Sequence, residues 1–218
     1  MTSPAAKFSR TTAAGVLLLA LTLALAYLLA TARKELALAS RLPVIGPVAE
    51  FSLTNQSAAP VSLAALRGRP WIADIIFTRC AGPCLKMSRQ MKELQDALPA
   101  ASSAKLVTLT TDPEFDTPPV LEKYAGRFGA DTNRWMFLTG TKSEIAALGS
   151  GSLKLSAVEV KPAERQSEND LFIHSTIFVV VDKQARLRGV FQTGGEGVDW
   201  AGEKNQILAA VRQLEREP

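Results

Sequence analysis

Two cysteines and one histidine are the residues best suited to chemistry, and the chain has no others of either type. Cys80 and Cys84 stand four positions apart, and His174 follows much later in the chain. Two thiols and one imidazole suit a soft, low-coordinate metal such as Cu(I), whereas zinc usually takes four ligands. A close cysteine pair can also alternate between dithiol and disulfide. The sequence therefore predicts copper binding or thiol–disulfide exchange, with Cys80 and Cys84 as the redox pair in the second case.

The sequence around the cysteines is typical of a strand that runs into a helix. A β-rich run at 70–77 precedes Cys80, and apolar residues recur at helical spacing from Leu85 to Leu98. Pro83 fits the first turn of that helix, where its missing N–H is not needed. We therefore expect Cys80 in the preceding loop and Cys84 in the first turn, where the helix dipole favours thiolate. Three residues separate the cysteines, one more than in thioredoxin-type oxidoreductases, so the sulfurs can spread around a metal.

Other polar and sulfur-containing residues near these motifs have simpler interpretations. Met87 and Met91 lie four apart on an apolar helix face, which favours the core over copper ligation. Asp112 and Asp116 are interpreted as turn and helix-cap residues. Arg79 either lowers the pKa of the adjacent thiol or faces solvent.

The pattern along the chain predicts an α/β sandwich. Strands at 70–77, 105–111 and 135–139 alternate with helices, and a hairpin joins 177–181 to 185–191. A cysteine pair between a strand and a helix makes a thioredoxin-like fold the specific prediction. A β-hairpin within 51–63 precedes this core, and the least regular stretch, 149–169, is an inserted segment with weak strand candidates at 153–155 and 158–160. The chain is expected to end in a helix from Trp200 to Leu214.

An uncharged run from Thr11 to Ala32 predicts one transmembrane helix ahead of this fold. The Ala30-Thr31-Ala32 triplet leaves a cleaved signal peptide as the alternative, although the run is longer than a signal h-region. The predicted organisation is a cytoplasmic tail at 1–11, an anchor at 12–32, a linker at 33–44 and a thioredoxin-like domain at 45–216. The domain would then lie outside the inner (cytoplasmic) membrane.

The net charge of +4 gives no argument for a nucleic-acid partner. Five Lys or Arg and one Glu lie within residues 1–41, so the remainder of the chain carries equal numbers of basic and acidic residues. The basic excess therefore flanks the predicted anchor, and the exported domain has no electrostatic signature of nucleic-acid binding.

Four separated motifs resemble those of the Sco/SenC family, which consists of membrane-anchored, thioredoxin-like proteins that help to assemble the binuclear copper centre of cytochrome c oxidase. The match covers roughly residues 45–215 in the family's order. The motifs are Phe77-Thr78-Arg79-Cys80-Ala81-Gly82-Pro83-Cys84, Thr110-Thr111-Asp112-Pro113-Glu114-Phe115-Asp116-Thr117-Pro118, Trp135-Met136-Phe137-Leu138-Thr139-Gly140 and His174-Ser175-Thr176.

The resemblance implies that Cys80, Cys84 and His174 bind copper, with Cu(I) favoured and Cu(II) left open. It implies a metallochaperone whose partners are the copper-bearing oxidase subunit and a copper donor or thiol reductant. It also makes Asp112 a candidate for a contact with the metal ligands or with a partner protein. Ala81 and Leu85 stand where many members have proline. This difference leaves open an oxidoreductase that reduces the cysteines of a copper-site partner, while peroxidase chemistry is disfavoured.

Overall fold

The computed structural model describes residues 10–39, 42–80, 82–164 and 171–218, and the chain divides into two compact units at Arg41/Leu42. In the first unit, α1 spans Arg10–Ala39, and the large apolar side chains from Val16 to Leu29 are exposed. No helix in the described part of the chain is long and apolar enough to cross a membrane. The anchor predicted at 12–32 is therefore not confirmed.

The second unit is built on an eight-stranded sheet in the order β1-β10-β9-β4-β5-β6-β2-β3, in which only the β4–β5 and β5–β6 pairs are parallel. The remaining pairs are antiparallel. The strands are β1 (Gly46–Pro47), β2 (Ser52–Asn55), β3 (Pro60–Ser62), β4 (Trp71–Ile76), β5 (Lys105–Thr110), β6 (Trp135–Thr139), β9 (Ile177–Val181) and β10 (Arg186–Gln192). A separate hairpin pairs β7 (Ala157–Glu159) with β8 (Phe172–His174).

Helices cover both faces of this sheet, as a thioredoxin-like α/β fold requires. They are α2 (Leu63–Leu66), α3 (Pro83–Ala97), α4 (Pro118–Arg127), α5 (Lys142–Ala146), a π-helix (Ala147–Leu153) and α6 (Trp200–Arg216). The strands β4, β5, β6, β9 and β10, the N-terminal hairpin β2–β3 and the long helices α3, α4 and α6 lie where the sequence predicts them, whereas the short strand β1 was not predicted. The strand candidate at 153–155 is wrong, because Leu153 ends the π-helix and Lys154 adopts a left-handed conformation.

The core consists of two apolar layers, one on each face of the sheet, with β4 between them. All six residues of β4 are buried. Ile72 and Ile76 belong to the layer that contains α3, α4 and α6, whereas Trp71, Ala73 and Ile75 belong to the other layer. Met87 and Met91 are buried in the first layer, so the prediction that they are core residues is confirmed.

A buried guanidinium joins the two ends of the second unit. The Arg188 side chain is 3% exposed, and its Nη1 lies 2.8 Å from carboxylate oxygens of both Asp182 and Glu217. Its Nη2 donates to the Leu42 carbonyl at 2.6 Å. Because a buried charge is stable only when it is paired, this cluster holds Leu42 and Glu217, near the two ends of the unit, against β10.

Candidate metal centre

The two cysteines lie where β4 passes into α3. Gly82 is the residue preceding α3, Pro83 is the first residue of the helix and Cys84 is the second, as the sequence predicts. Cys84 is fully buried and Cys80 is 9% exposed. Both thiols are free, so the site is described in its dithiol form.

His174 is brought to the cysteines by the small hairpin β7–β8. It is the last residue of β8 and pairs with Ala157 of β7. Its Nδ1 lies 3.1 Å from the Ser175 carbonyl oxygen; because a carbonyl can only accept, Nδ1 carries a proton. The ring also packs edge-on against Phe77, with ring centroids 6.0 Å apart. The imidazole is therefore oriented with Nε2 towards the cysteines.

The three side chains that the sequence singles out converge on one point. His174 Nε2 lies 2.9 Å from Cys84 Sγ, and the ligand atoms of Cys80, Cys84 and His174 all lie within 4.8 Å of one another. Atoms that share one ion, at bond lengths of about 2.0 to 2.3 Å, lie no more than about 4.6 Å apart. The cluster therefore needs little rearrangement to hold a single ion, and two thiolates with one imidazole favour a soft metal.

The two thiols have opposite acidities. The pKa of Cys80 is lowered to about 4, chiefly by a hydrogen bond from Cys84, with help from His174 and from the backbone N–H groups of Gly82 and Cys84. The pKa of Cys84 is raised, because its thiol donates to Cys80 and because it is buried. At neutral pH the site therefore contains one thiolate and one thiol that share a proton.

Two aspartates from the segment after β5 hold the loop that carries Cys80. Asp116 is fully buried and accepts hydrogen bonds from the Thr78 backbone N–H at 3.1 Å, from the Thr78 hydroxyl and from Thr110. Asp112 pairs with Arg79, whose guanidinium lies 4.1 Å from the centroid of the Phe115 ring. These contacts fix the backbone directly before Cys80.

The prediction that Asp116 caps α4 is wrong, because Thr117 precedes the helix and Asp116 faces the cysteine loop instead. Arg79 is exposed, so the interpretation that it faces solvent is confirmed, and its guanidinium also forms an ion pair with Asp112.

Asp74 is a buried carboxyl group that the sequence analysis missed. It lies in the middle of β4 and is fully buried. Its Oδ1 accepts from Thr108 at 2.6 Å, and Thr108 in turn accepts from the Trp135 indole. Its Oδ2 is buried without a hydrogen-bond partner. Burial raises the pKa of Asp74 to about 7, and the signal in the sequence was a single acid inside an apolar strand.

The unequal thiols predict selective alkylation of the reduced protein. We expect iodoacetamide to modify Cys80 at a rate that is nearly constant from pH 6 to pH 8, because its thiolate is already formed at pH 6. An ordinary thiol would accelerate by roughly two orders of magnitude over that range. Peptide mass spectrometry would follow the modification. The Cys80→Ser variant is the control, because its one remaining thiol, Cys84, should react slowly. A Cys80 rate that rises steeply up to pH 8 would contradict the assignment.

Comparison with known proteins identifies relatives of this chain. The SCO1/SenC family model matches residues 46–209. The chain is 34% identical to the SCO1 protein homolog of Bacillus subtilis (strain 168) over 147 residues, which is 66% of this chain and 73% of the relative.

Solved structures share the fold. BsSco, described as a member of the Sco family of cytochrome c oxidase assembly proteins with a disulfide switch, superposes with a TM-score of 0.65 at 26% identity, over 82% of this chain and 100% of its own. Copper-bound ScoI of Bradyrhizobium japonicum superposes with a TM-score of 0.58 at 20% identity, over 77% of this chain and 99% of its own. The family model, the relative and the shared fold together establish that this chain belongs to the SCO1/SenC family.

Proposed function

We propose that this protein is a copper chaperone that holds copper through Cys80, Cys84 and His174. The observation that carries the proposal is the convergence of two sulfurs and one imidazole nitrogen within 4.8 Å. Copper-bound ScoI, which has the same fold, supports the choice of metal. Cu(I) suits this donor set, and its binding would release the proton that the two thiols share.

The recipient that we propose is the copper-bearing subunit of cytochrome c oxidase. Support comes from family membership and from BsSco, which is described as belonging to a family of oxidase assembly proteins. Copper would pass by ligand exchange between this site and the thiols of the recipient, so both sites must be reduced. A copper donor or a thiol reductant would be the second partner.

A titration of the full-length, reduced protein in detergent tests copper binding. We expect one Cu(I) per chain to be retained in competition with a chromophoric Cu(I) chelator. In cells, deletion of the gene should lower oxidase activity, and added copper should restore it. Complete transfer of Cu(I) from the purified protein to the chelator would argue against the proposal.

Thiol–disulfide exchange is the second candidate, and it is favoured by the pairing of a Cys80 thiolate with a protonated Cys84. Cys80 would attack a partner disulfide, and Cys84 would resolve the mixed disulfide, leaving a Cys80–Cys84 disulfide. BsSco, described as having a disulfide switch, is a precedent in the same family. Substitution of His174 by alanine separates the two functions, because it should weaken copper binding while exchange through the cysteines persists.

We also propose that α1 anchors the protein in the cytoplasmic membrane, with the second unit on the outer side. Support comes from the absence of charge between Thr11 and Ala32 and from the exposure of the leucines in α1. The full-length chain should remain in the membrane pellet after alkaline carbonate extraction. Extraction into the supernatant would contradict the anchor, and protease accessibility of the second unit in spheroplasts would test the orientation.

A further inference from the structure

A cleft of about 340 Å³ opens beside the first turn of α3. One wall comes from α3 and the residue before it, and the other from the segments that flank β9 and β10. The lining of the cleft includes Gly82, Pro83, Lys86, Thr176, Thr193 and Gly194. Because Gly82 and Pro83 lie between the two cysteines in the chain, a group held in this cleft lies next to the dithiol.

Lys86 supplies an unpaired positive charge to this cleft. It is exposed, and among the residues that the structure describes it takes part in none of the ion pairs. A Cβ atom built on Gly194 would lie 3.9 Å from both Lys86 Nζ and Thr176 Oγ1. The ammonium and this hydroxyl therefore converge over a glycine whose missing side chain leaves room for a ligand.

Thr193 supplies a polar group that is buried and unused. Its backbone is fixed, since its N–H donates to the Thr176 carbonyl at 2.9 Å and its carbonyl accepts from Gln90 at 2.9 Å. Its side chain is fully buried, and Oγ1 has no hydrogen-bond partner. A buried hydroxyl without a partner is unfavourable, and Thr193 lines the cleft, so an acceptor bound there can satisfy this group after a small adjustment of the side chain.

We propose that this cleft binds a carboxylate side chain of the protein that exchanges thiols or copper with Cys80. The inference rests on the function proposed above and adds the chemistry that recognises the partner. One ammonium and two hydroxyls match a singly charged, two-oxygen acceptor. A phosphate group would call for more charge or for a guanidinium fork. The acidic partner residue would hold the incoming sulfur beside the Cys80 thiolate.

Two aromatic disulfides, the dianionic dithiobis-nitrobenzoate and the neutral dithiodipyridine, probe the cleft on the full-length reduced protein. The Cys80 thiolate attacks one sulfur and expels the first aromatic thiolate. Cys84 then attacks Cys80 Sγ, expels the second and loses its proton to solvent, so each chain gains one disulfide as each probe is reduced to two thiolates. Absorbance of the released product gives the rate for each probe.

We expect Lys86→Gln to slow the reaction with the anionic probe about three- to fivefold, as for the loss of one exposed charge contact, and to leave the neutral probe unchanged. Arg89→Gln is the matched control, because Arg89 is an exposed cation on the same helix that does not line the cleft. Lys86→Arg should retain most of the anionic preference. Equal slowing by Lys86→Gln and Arg89→Gln, or equal slowing of both probes, would overturn the proposal.

The same proteins separate this inference from the proposed function. Lys86→Gln should retain one Cu(I) per chain, since Lys86 is outside the ligand cluster. If the wild-type chain binds no copper but Lys86→Gln still slows the anionic probe alone, the chaperone is refuted while the carboxylate cleft is supported. A wild-type chain that binds copper but reacts with both probes independently of Lys86 would refute the cleft alone.

Discussion

Replacement of Cys84 by serine is expected to lower the affinity for Cu(I) by more than about a hundredfold. Loss of a group that only supports a ligand typically costs 10- to 100-fold in metal affinity, and Cys84→Ser removes a ligand itself. A hydroxyl is also a poor donor to a soft ion. His174→Ala should have a smaller effect, because both thiolates remain. Competition with a chromophoric chelator would measure all three affinities.

Met87→Leu is the matched control for this measurement. Met87 is buried in the same helix, three residues after Cys84, and leucine preserves its volume. We expect unchanged copper affinity, in keeping with a core role for this thioether. A Cys84→Ser protein that is folded by circular dichroism and retains wild-type affinity would remove the three-ligand site from consideration.

Asp74→Asn is expected to stabilise the second unit at pH 8 and not at pH 4. The carboxyl group is protonated in the folded state up to its pKa of about 7, whereas the ordinary pKa of an aspartate is 3.8. Between these values the folded state binds more protons than the unfolded state, so the stability that this group contributes falls as pH rises and levels off above 7. The shift in the pKa of Asp74 corresponds to a change in the free energy of unfolding of at most about 4 kcal/mol between low and high pH.

Urea denaturation of both proteins at pH 4, 6 and 8 would measure this effect. The asparagine retains an oxygen that can accept from Thr108, and it stays uncharged at every pH, so the variant removes the cost of ionising this buried site. Asp96→Asn is the control, because Asp96 is exposed and pairs with Lys92 on the helix surface. The prediction fails if the difference in unfolding free energy between wild type and Asp74→Asn is the same at all three pH values.

The central part of this fold could be predicted because its signals are local. The strand β4 is an uninterrupted β-rich run, and Met87 and Met91 repeat at helical spacing on one face of α3. Pro83 gave the start of α3, and with it the relative positions of Cys80 and Cys84. These features depend on residues that are close in sequence, where periodicity and capping rules apply.

The features of the structure that were not predicted depend on contacts between residues that are distant in sequence. The strand β8 has only three residues and exists because it pairs with β7, so no periodicity marked the backbone of His174. The π-helix follows a small-residue sequence that has no distinctive pattern. The role of Asp116 arises from a contact with Thr78, 38 residues earlier. The convergence of His174 with the cysteines came from resemblance to the family and not from spacing.

The cluster around Arg188 brings the two ends of the domain together. Leu187 and Trp71 both pair with Val181, so this cluster lies at the beginning of β4, whereas the cysteines follow its other end. Six residues of strand separate these two poles by about 17 to 20 Å. Both termini of the domain thus leave from the pole opposite the thiols. An affinity tag added after Pro218 would therefore begin at the end of the domain that lies farthest from the sulfurs.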